Sequence, residues 1–136
     1  MADHGQQHRH DQRDSVVNHL IRCKPWIEAA LEHSGGTHEW QDIVDGIISG
    51  KMQLWPAEKG CLVTELVTYP RKLVLNVFLG GGDLEQLVDM HAAVEDWGKA
   101  QGCSGATIIG RAGWERVYKD RGWKRQHVVL AKEFDT

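Results

Sequence analysis

Cysteine, proline and net positive charge are all scarce in this 136-residue chain. The three cysteines, Cys23, Cys61 and Cys103, are odd in number and show no C-x-x-C spacing, which excludes a disulfide framework and a thiolate zinc site. They read as reduced thiols. None has the basic or histidine neighbours that mark a nucleophile. No apolar run reaches the length of a membrane span, and no secretory leader pattern opens the chain, so a cytoplasmic protein with no membrane partner is expected. Sixteen Lys and Arg against nineteen Asp and Glu leave a formal charge of −3, which argues against nucleic acid as a partner. Six tryptophans are present, but they are spread along the chain rather than gathered in a basic groove, so a stacking platform for single strands is excluded as well.

What remains is enough for one domain, because a chain of this length buries roughly two thirds of its unfolded surface. Residues 1–14, MADHGQQHRHDQRD, contain too few apolar side chains to order themselves and are expected to form a flexible polar tail. His4, His8 and His10 lie there at i, i+4 and i+6. A tail lacks the preorganised second shell of a metal site, so no metal is expected. The single domain is expected over 15–136.

Ser15 is a plausible N-cap for a helix carrying Val16, Val17, Leu20 and Ile21. Pro25 suits the first turn of a second helix with Trp26, Ile27, Ala30 and Leu31, ended by Ser34-Gly35-Gly36. Thr37 is expected to cap a third, with Trp40, Ile43, Val44, Ile47 and Ile48 on one face and Gly50 as its stop. From Met52 the period changes to that of strands. Met52–Trp55, Cys61–Tyr69 and Lys72–Leu79 form a predicted antiparallel meander, turning at 56–60 and at Pro70-Arg71. Leu84, Leu87, Val88, His91, Val94 and Trp97 then mark the buried stripe of a helix to about Gln101, on which His91 reads as a core histidine. A central parallel strand, Ala106–Ile109, follows by a βαβ crossover. A short helix near 113–121 and a last strand, Gln126–Phe134, complete the expected order.

Charge is unevenly placed. Asp83 to Asp96 holds five carboxylates and no Lys or Arg, whereas Arg111 to Arg125 holds six basic residues. These are either two complementary solvated faces or, at Arg111 to Arg125, a basic rim for an acidic ligand. Gly80-Gly81-Gly82, directly after a strand and before a helix, allows close backbone approach by a ligand, and helix-start N–H groups can hold phosphate. Asp83 can equally cap that helix and close a purely structural turn. Tyr118, in Tyr-x-x-x-Gly-Trp, is a phenol able to donate a proton, or a ring packed beside Trp114 and Trp123. Glu65, amid Leu62, Val63, Leu66 and Val67, is either a base or an outward-facing strand residue.

The strand, glycine turn, helix, strand and short helix across 72–123, with Tyr118–Trp123, resemble the second half of the GNAT superfamily of N-acetyltransferases. The resemblance implies an α/β fold of GNAT type, a mixed and mostly antiparallel sheet flanked by helices. It implies acetyl-CoA as cofactor, held at Val77, Phe78, Leu79, Gly80, Gly81, Gly82, Asp83 and Arg111, and transfer of its acetyl group to an unspecified amine. Tyr118 would be the acid that protonates the departing thiolate. The family's base is often a Glu on the strand corresponding to Lys72–Leu79, which here holds Asn76 and no carboxylate, so Glu65 on the adjacent strand is the substitute base. The segments Gly50–Trp55 and Gly110–Trp114 are further similar to small acetyltransferase-like proteins of tailed bacteriophages. That likeness implies a second possibility, a non-catalytic virion or assembly protein on the same fold, self-associating or bound to other virion proteins.

Overall fold

The computed structural model describes residues 2–110 and 112–135, with side-chain surroundings for 15–110 and 113–135. Its core is a four-stranded sheet in the order β1-β2-β3-β4. The strands are β1 Met52–Ala57, β2 Gly60–Thr68, β3 Leu73–Gly82 and β4 Gly105–Ile108. The predicted meander is present, since β1 to β3 pair antiparallel in sequence order. Pro56 sits inside β1 rather than in a turn, which an edge strand tolerates because one row of its N–H groups needs no ladder partner.

One helical layer covers each face of the sheet. On one face α1 (Ala2–Leu31) and α2 (Trp40–Ile48) contribute Cys23, Ile27 and Ile43, packed on Cys61, Val63 and Leu79. On the other, α3 (Leu84–Ala100) sets Leu87 and Val94 against Leu62, Leu75 and Val77. The long crossover through α3 brings β4 parallel to β3, as the sequence predicts. α4 (Ala112–Tyr118) and a turn of 3-10 helix (Lys119–Arg121) follow.

Several elements differ from expectation. The backbone of α1 is continuous from residue 2, through the segment expected as a flexible tail and through Pro25. A proline forfeits one hydrogen bond in a helix interior. Here the flanking turns are anchored by buried Leu20, Cys23 and Ile27, which hold the helix together across it. The side chains of His4, His8 and His10 lie outside the described residues. Thr37 does not cap α2. Its hydroxyl donates to the Ser34 carbonyl, and the cap is Glu39, whose N–H donates to the Asp42 carboxylate at 2.8 Å. The expected strand Gln126–Phe134 has no regular structure, and its apolar side chains are exposed, Leu130 at 91%. Strand propensity alone does not make a strand without an edge to pair with. For the same reason β4, expected to be central, ends the sheet.

Candidate active site

The site is built where β3 and β4 part. They are paired from Val74 opposite Gly105 to Val77 opposite Ile108. β4 stops there, while β3 runs on to Gly82. At this point β3 also carries one extra residue: Val63 of β2 faces Leu79 and Thr64 faces Val77, leaving Phe78 as a bulge. A bulge re-phases the alternation of a strand. Leu75 and Val77 face α3, whereas Leu79, an even number of residues later, joins the core under α1. The edge of β3 from Phe78 onward is therefore turned away from β4.

A cavity of about 360 Å³ opens in this gap. Its walls are Val77 to Gly80 on β3, Ile108 to Gly110 at the end of β4, and the Trp114 ring from α4. The fourth wall is the last turn of α1 with Ala30, and the α1–α2 connection with His33, Ser34 and Thr37. That connection is held by short bonds. His33 and Ser34 donate their N–H groups to the Ala30 and Leu31 carbonyls, each at 3.1 Å, and the Ser34 hydroxyl donates to Leu31 at 2.8 Å. Gly35 and Gly36 both take positive φ, 73° and 77°, which reverses the chain at a conformation that costs other residues strain. His38 then lays its ring edge-on against the bulged Phe78, centroids 4.7 Å apart. The loop is thus fastened to the strand irregularity that opens the gap.

The sequence-predicted cofactor residues divide into two groups. Val77, Phe78, Leu79 and Gly80 line the cavity. Gly81, Gly82 and Asp83 do not. The glycines expected to form a turn are the end of β3, paired with Leu62, Cys61 and Gly60. Their missing side chains make room for protein. A Cβ on Gly81 would lie 2.7 Å from the Trp26 carbonyl, one on Gly82 would run into the Lys59 backbone, and one on Gly80 into the Trp114 ring. Asp83 is the N-cap of α3, its carboxylate accepting from the Glu85 N–H at 3.3 Å, while its own N–H donates to the Lys59 carbonyl at 2.8 Å. Arg111 lies outside the described residues.

Tyr118 stands one ring behind the cavity, stacked on Trp114 with centroids 5.8 Å apart. It is buried, its hydroxyl has no hydrogen-bond partner among the described residues, and burial pushes its phenol up to about 12, with Arg121 pulling the other way. His91, core as expected, meets the Tyr118 ring edge-on at 4.7 Å and the Trp123 ring at 5.7 Å. Glu65 does not reach the cavity. It accepts a hydrogen bond from the Asn76 amide at 3.0 Å, and Asn76 in turn accepts from the Thr107 hydroxyl at 2.9 Å, a polar seam joining β2, β3 and β4. Burial raises the Cys23 and Cys61 thiols, Cys61 beyond the range of ordinary acid–base chemistry, consistent with their reading as inert. Of the basic residues after Arg111, Arg125 is engaged by Glu115 through two hydrogen bonds.

Sequence reasoning missed the loop wall. Ser34, Gly35, Gly36 and Thr37 look like helix punctuation, and His33 carries no motif. The available signal was a polar cluster, H-S-G-G-T-H, between two apolar helices.

No family model matches the chain, and no curated protein does. Solved structures do. One is an acetyltransferase of Trypanosoma brucei, at TM-score 0.58 and 10% identity over 71% of this chain and 78% of that one. Another is an aminoglycoside acetyltransferase from an uncultured soil metagenomic sample, solved with sisomicin, at 0.60 and 11% over 89% and 90%. A third is glucosamine-6-phosphate N-acetyltransferase of Arabidopsis thaliana, at 0.53 and 14% over 92% of each chain. At these identities the likeness is one of fold: the chain has the GNAT-type acetyltransferase architecture.

Proposed function

We propose that the protein is an acyl-CoA-dependent N-acyltransferase working in the gap between β3 and β4. The observation that carries this reading is the cavity at the bulge of Phe78, where two parallel strands diverge and leave the β3 edge free beside apolar walls. Fit to acetyl-CoA is uneven along the cofactor. The thioester end suits the gap, where the β3 edge from Phe78 to Gly80 lines the cavity. A phosphate end directed at the start of α3 would meet Asp83, whose carboxylate already accepts from the Glu85 N–H, and the Glu85 carboxylate, both of which repel an anion.

Acetyl-CoA, when bound, supplies a thioester whose acyl carbon takes the amine nitrogen while the thiolate leaves. The chain's own residues do the rest. Val77 to Gly80 and Ile108 to Gly110 would flank the acyl group and exclude water. Tyr118 is the candidate donor to the departing sulfur, and it reaches the cavity only when the Trp114 ring stacked on it moves aside. Glu65, tied to Asn76, would act at a distance by holding the register of the three strands.

A second reading is favoured by Trp114 filling the space at Gly80 and by the acidic cap at Asp83: a non-catalytic protein on this fold. The likeness of Gly50–Trp55 and Gly110–Trp114 to phage-encoded proteins supports a virion or assembly role in that case. A thermal titration with acetyl-CoA separates the two. The enzyme reading expects stabilisation of about 2.7 kcal/mol at 100 times the dissociation constant. No shift at millimolar acetyl-CoA would leave the structural reading standing.

A further inference from the structure

We propose that His33 is the general base of this reaction, taking a proton from the ammonium form of an acceptor amine seated between the α1–α2 loop and the ends of β3 and β4. This rests on the acyltransferase reading. His33 supplies the only titratable side chain among the described residues lining the cavity. β3 contributes Val77 to Gly80, β4 and its exit contribute Ile108 to Gly110, and α4 contributes Trp114, none of which ionises near neutral pH. Of the loop's other groups, His38 is turned to the Thr37 hydroxyl at 2.7 Å and to the Phe78 ring.

The chemistry requires such a group. An amine is an ammonium ion at neutral pH and has no lone pair for attack until a base removes one proton. Imidazole is the side chain whose ordinary titration spans that pH. An exposed ring can also return the proton to bulk water before the next turnover, and His33 is exposed as well as lining the cavity. The balance is simple: the ammonium N–H bond breaks, a ring nitrogen gains the proton, and the imidazolium loses it to solvent. Glu65 does not take this part directly, because it does not line the cavity and its carboxylate is engaged by the Asn76 amide.

The walls also narrow the acceptor. Phe78, Leu79, Trp114 and Ile108 are apolar, and no carboxylate among the described residues lines the cavity. A primary amine on an apolar body suits this better than a polycation, so 2-phenylethylamine is the appropriate probe.

The test uses the full chain and its His33→Gln variant in two measurements. Release of thiol from acetyl-CoA with 2-phenylethylamine is followed across pH, and the His33 ring resonances are followed by NMR as the amine is added. Expected are unchanged thermal stabilisation of the variant by acetyl-CoA, turnover lower by roughly 10²- to 10⁴-fold, loss of the acidic limb of kcat/KM, and partial rescue by added imidazole. In the parent, the amine should move the His33 resonances. Normal turnover and an intact acidic limb in the variant, or His33 resonances indifferent to the amine at saturating acetyl-CoA, would overturn the assignment while leaving the acyltransferase reading intact. Failure of acetyl-CoA to stabilise the parent removes both.

Discussion

His91 and Tyr118 bury three polar atoms, two ring nitrogens and a phenol oxygen, with no hydrogen-bond partner among the described residues. Each such atom costs about 1–3 kcal/mol in lost hydration. The aromatic contacts with Trp114 and Trp123 offset part of this, since edge-to-face pairs contribute about 0.5–1.5 kcal/mol beyond their buried area. Burial, and then Arg121, lower the His91 imidazole to about 4. The unfolded chain binds a proton there near pH 6.5, while the folded one resists until about 4. Stability should therefore fall as pH falls from 6.5 to 4 and level off below, by on the order of 1–3 kcal/mol. His91→Phe should keep the ring packing, leave stability at pH 7 equal or higher, and flatten this slope. Urea denaturation of both proteins at pH 7, 5.5 and 4.5 checks it, and equal slopes would mean His91 is hydrated. The residue scale is also where the sequence was partly legible. A histidine on the apolar stripe of α3 announces burial, but its meeting with Tyr118, 27 positions on, depends on where α4 lies.

At the scale of elements, α3 shows how one terminus can be read in two ways. Asp83 before Leu84 is a capping signal, and the cap is present. Asp83→Ala should cost roughly 1 kcal/mol, and Asp83→Asn only a few tenths, because an amide oxygen can still accept from the Glu85 N–H. Chemical denaturation measures both. If the phosphates of acetyl-CoA approach this helix start, the Asn variant should also bind it several-fold more tightly at low salt, an effect that fades as salt rises. Equal affinity at every salt concentration would place the phosphates elsewhere. The glycines before Asp83 were legible as sites of close approach. What approaches them was not, because Trp26 and Trp114 arrive from α1 and α4. The bulge at Phe78 left no trace in the sequence either. Leu75 to Leu79 is apolar on both faces apart from Asn76, and a strand covered on both sides has no alternation for an extra residue to break.

For the whole molecule, the layers close without residues 126–135. Val128, Val129, Leu130 and Phe134 are exposed, while Arg125 anchors the preceding turn to Glu115 at the surface. Truncation after Arg125 should change unfolding free energy by no more than about 0.5 kcal/mol, since no buried contact is lost. The full chain should show concentration-dependent association that the truncated one lacks, because an exposed run of β-branched and apolar residues invites pairing. Light scattering across concentration, with denaturation of both forms, decides it. A large loss of stability would mean the segment packs on its own sheet.

Local order of the elements was in the sequence by itself: the helical stripe of α3 and that of α2 apart from Ile48, which is exposed, the antiparallel meander, the parallel return to β4 and the Asp83 cap. These rest on periodicity and on bonds between neighbours, which a linear pattern records. Tertiary structure alone decided that Pro25 lies within one helix, that 126–134 finds no edge, and that the glycine end of β3 is packed by tryptophans. It alone brought His33 to the gap and kept Glu65 away from it. Those outcomes depend on which surfaces compete for the same space, and that competition is settled only when all layers are in place.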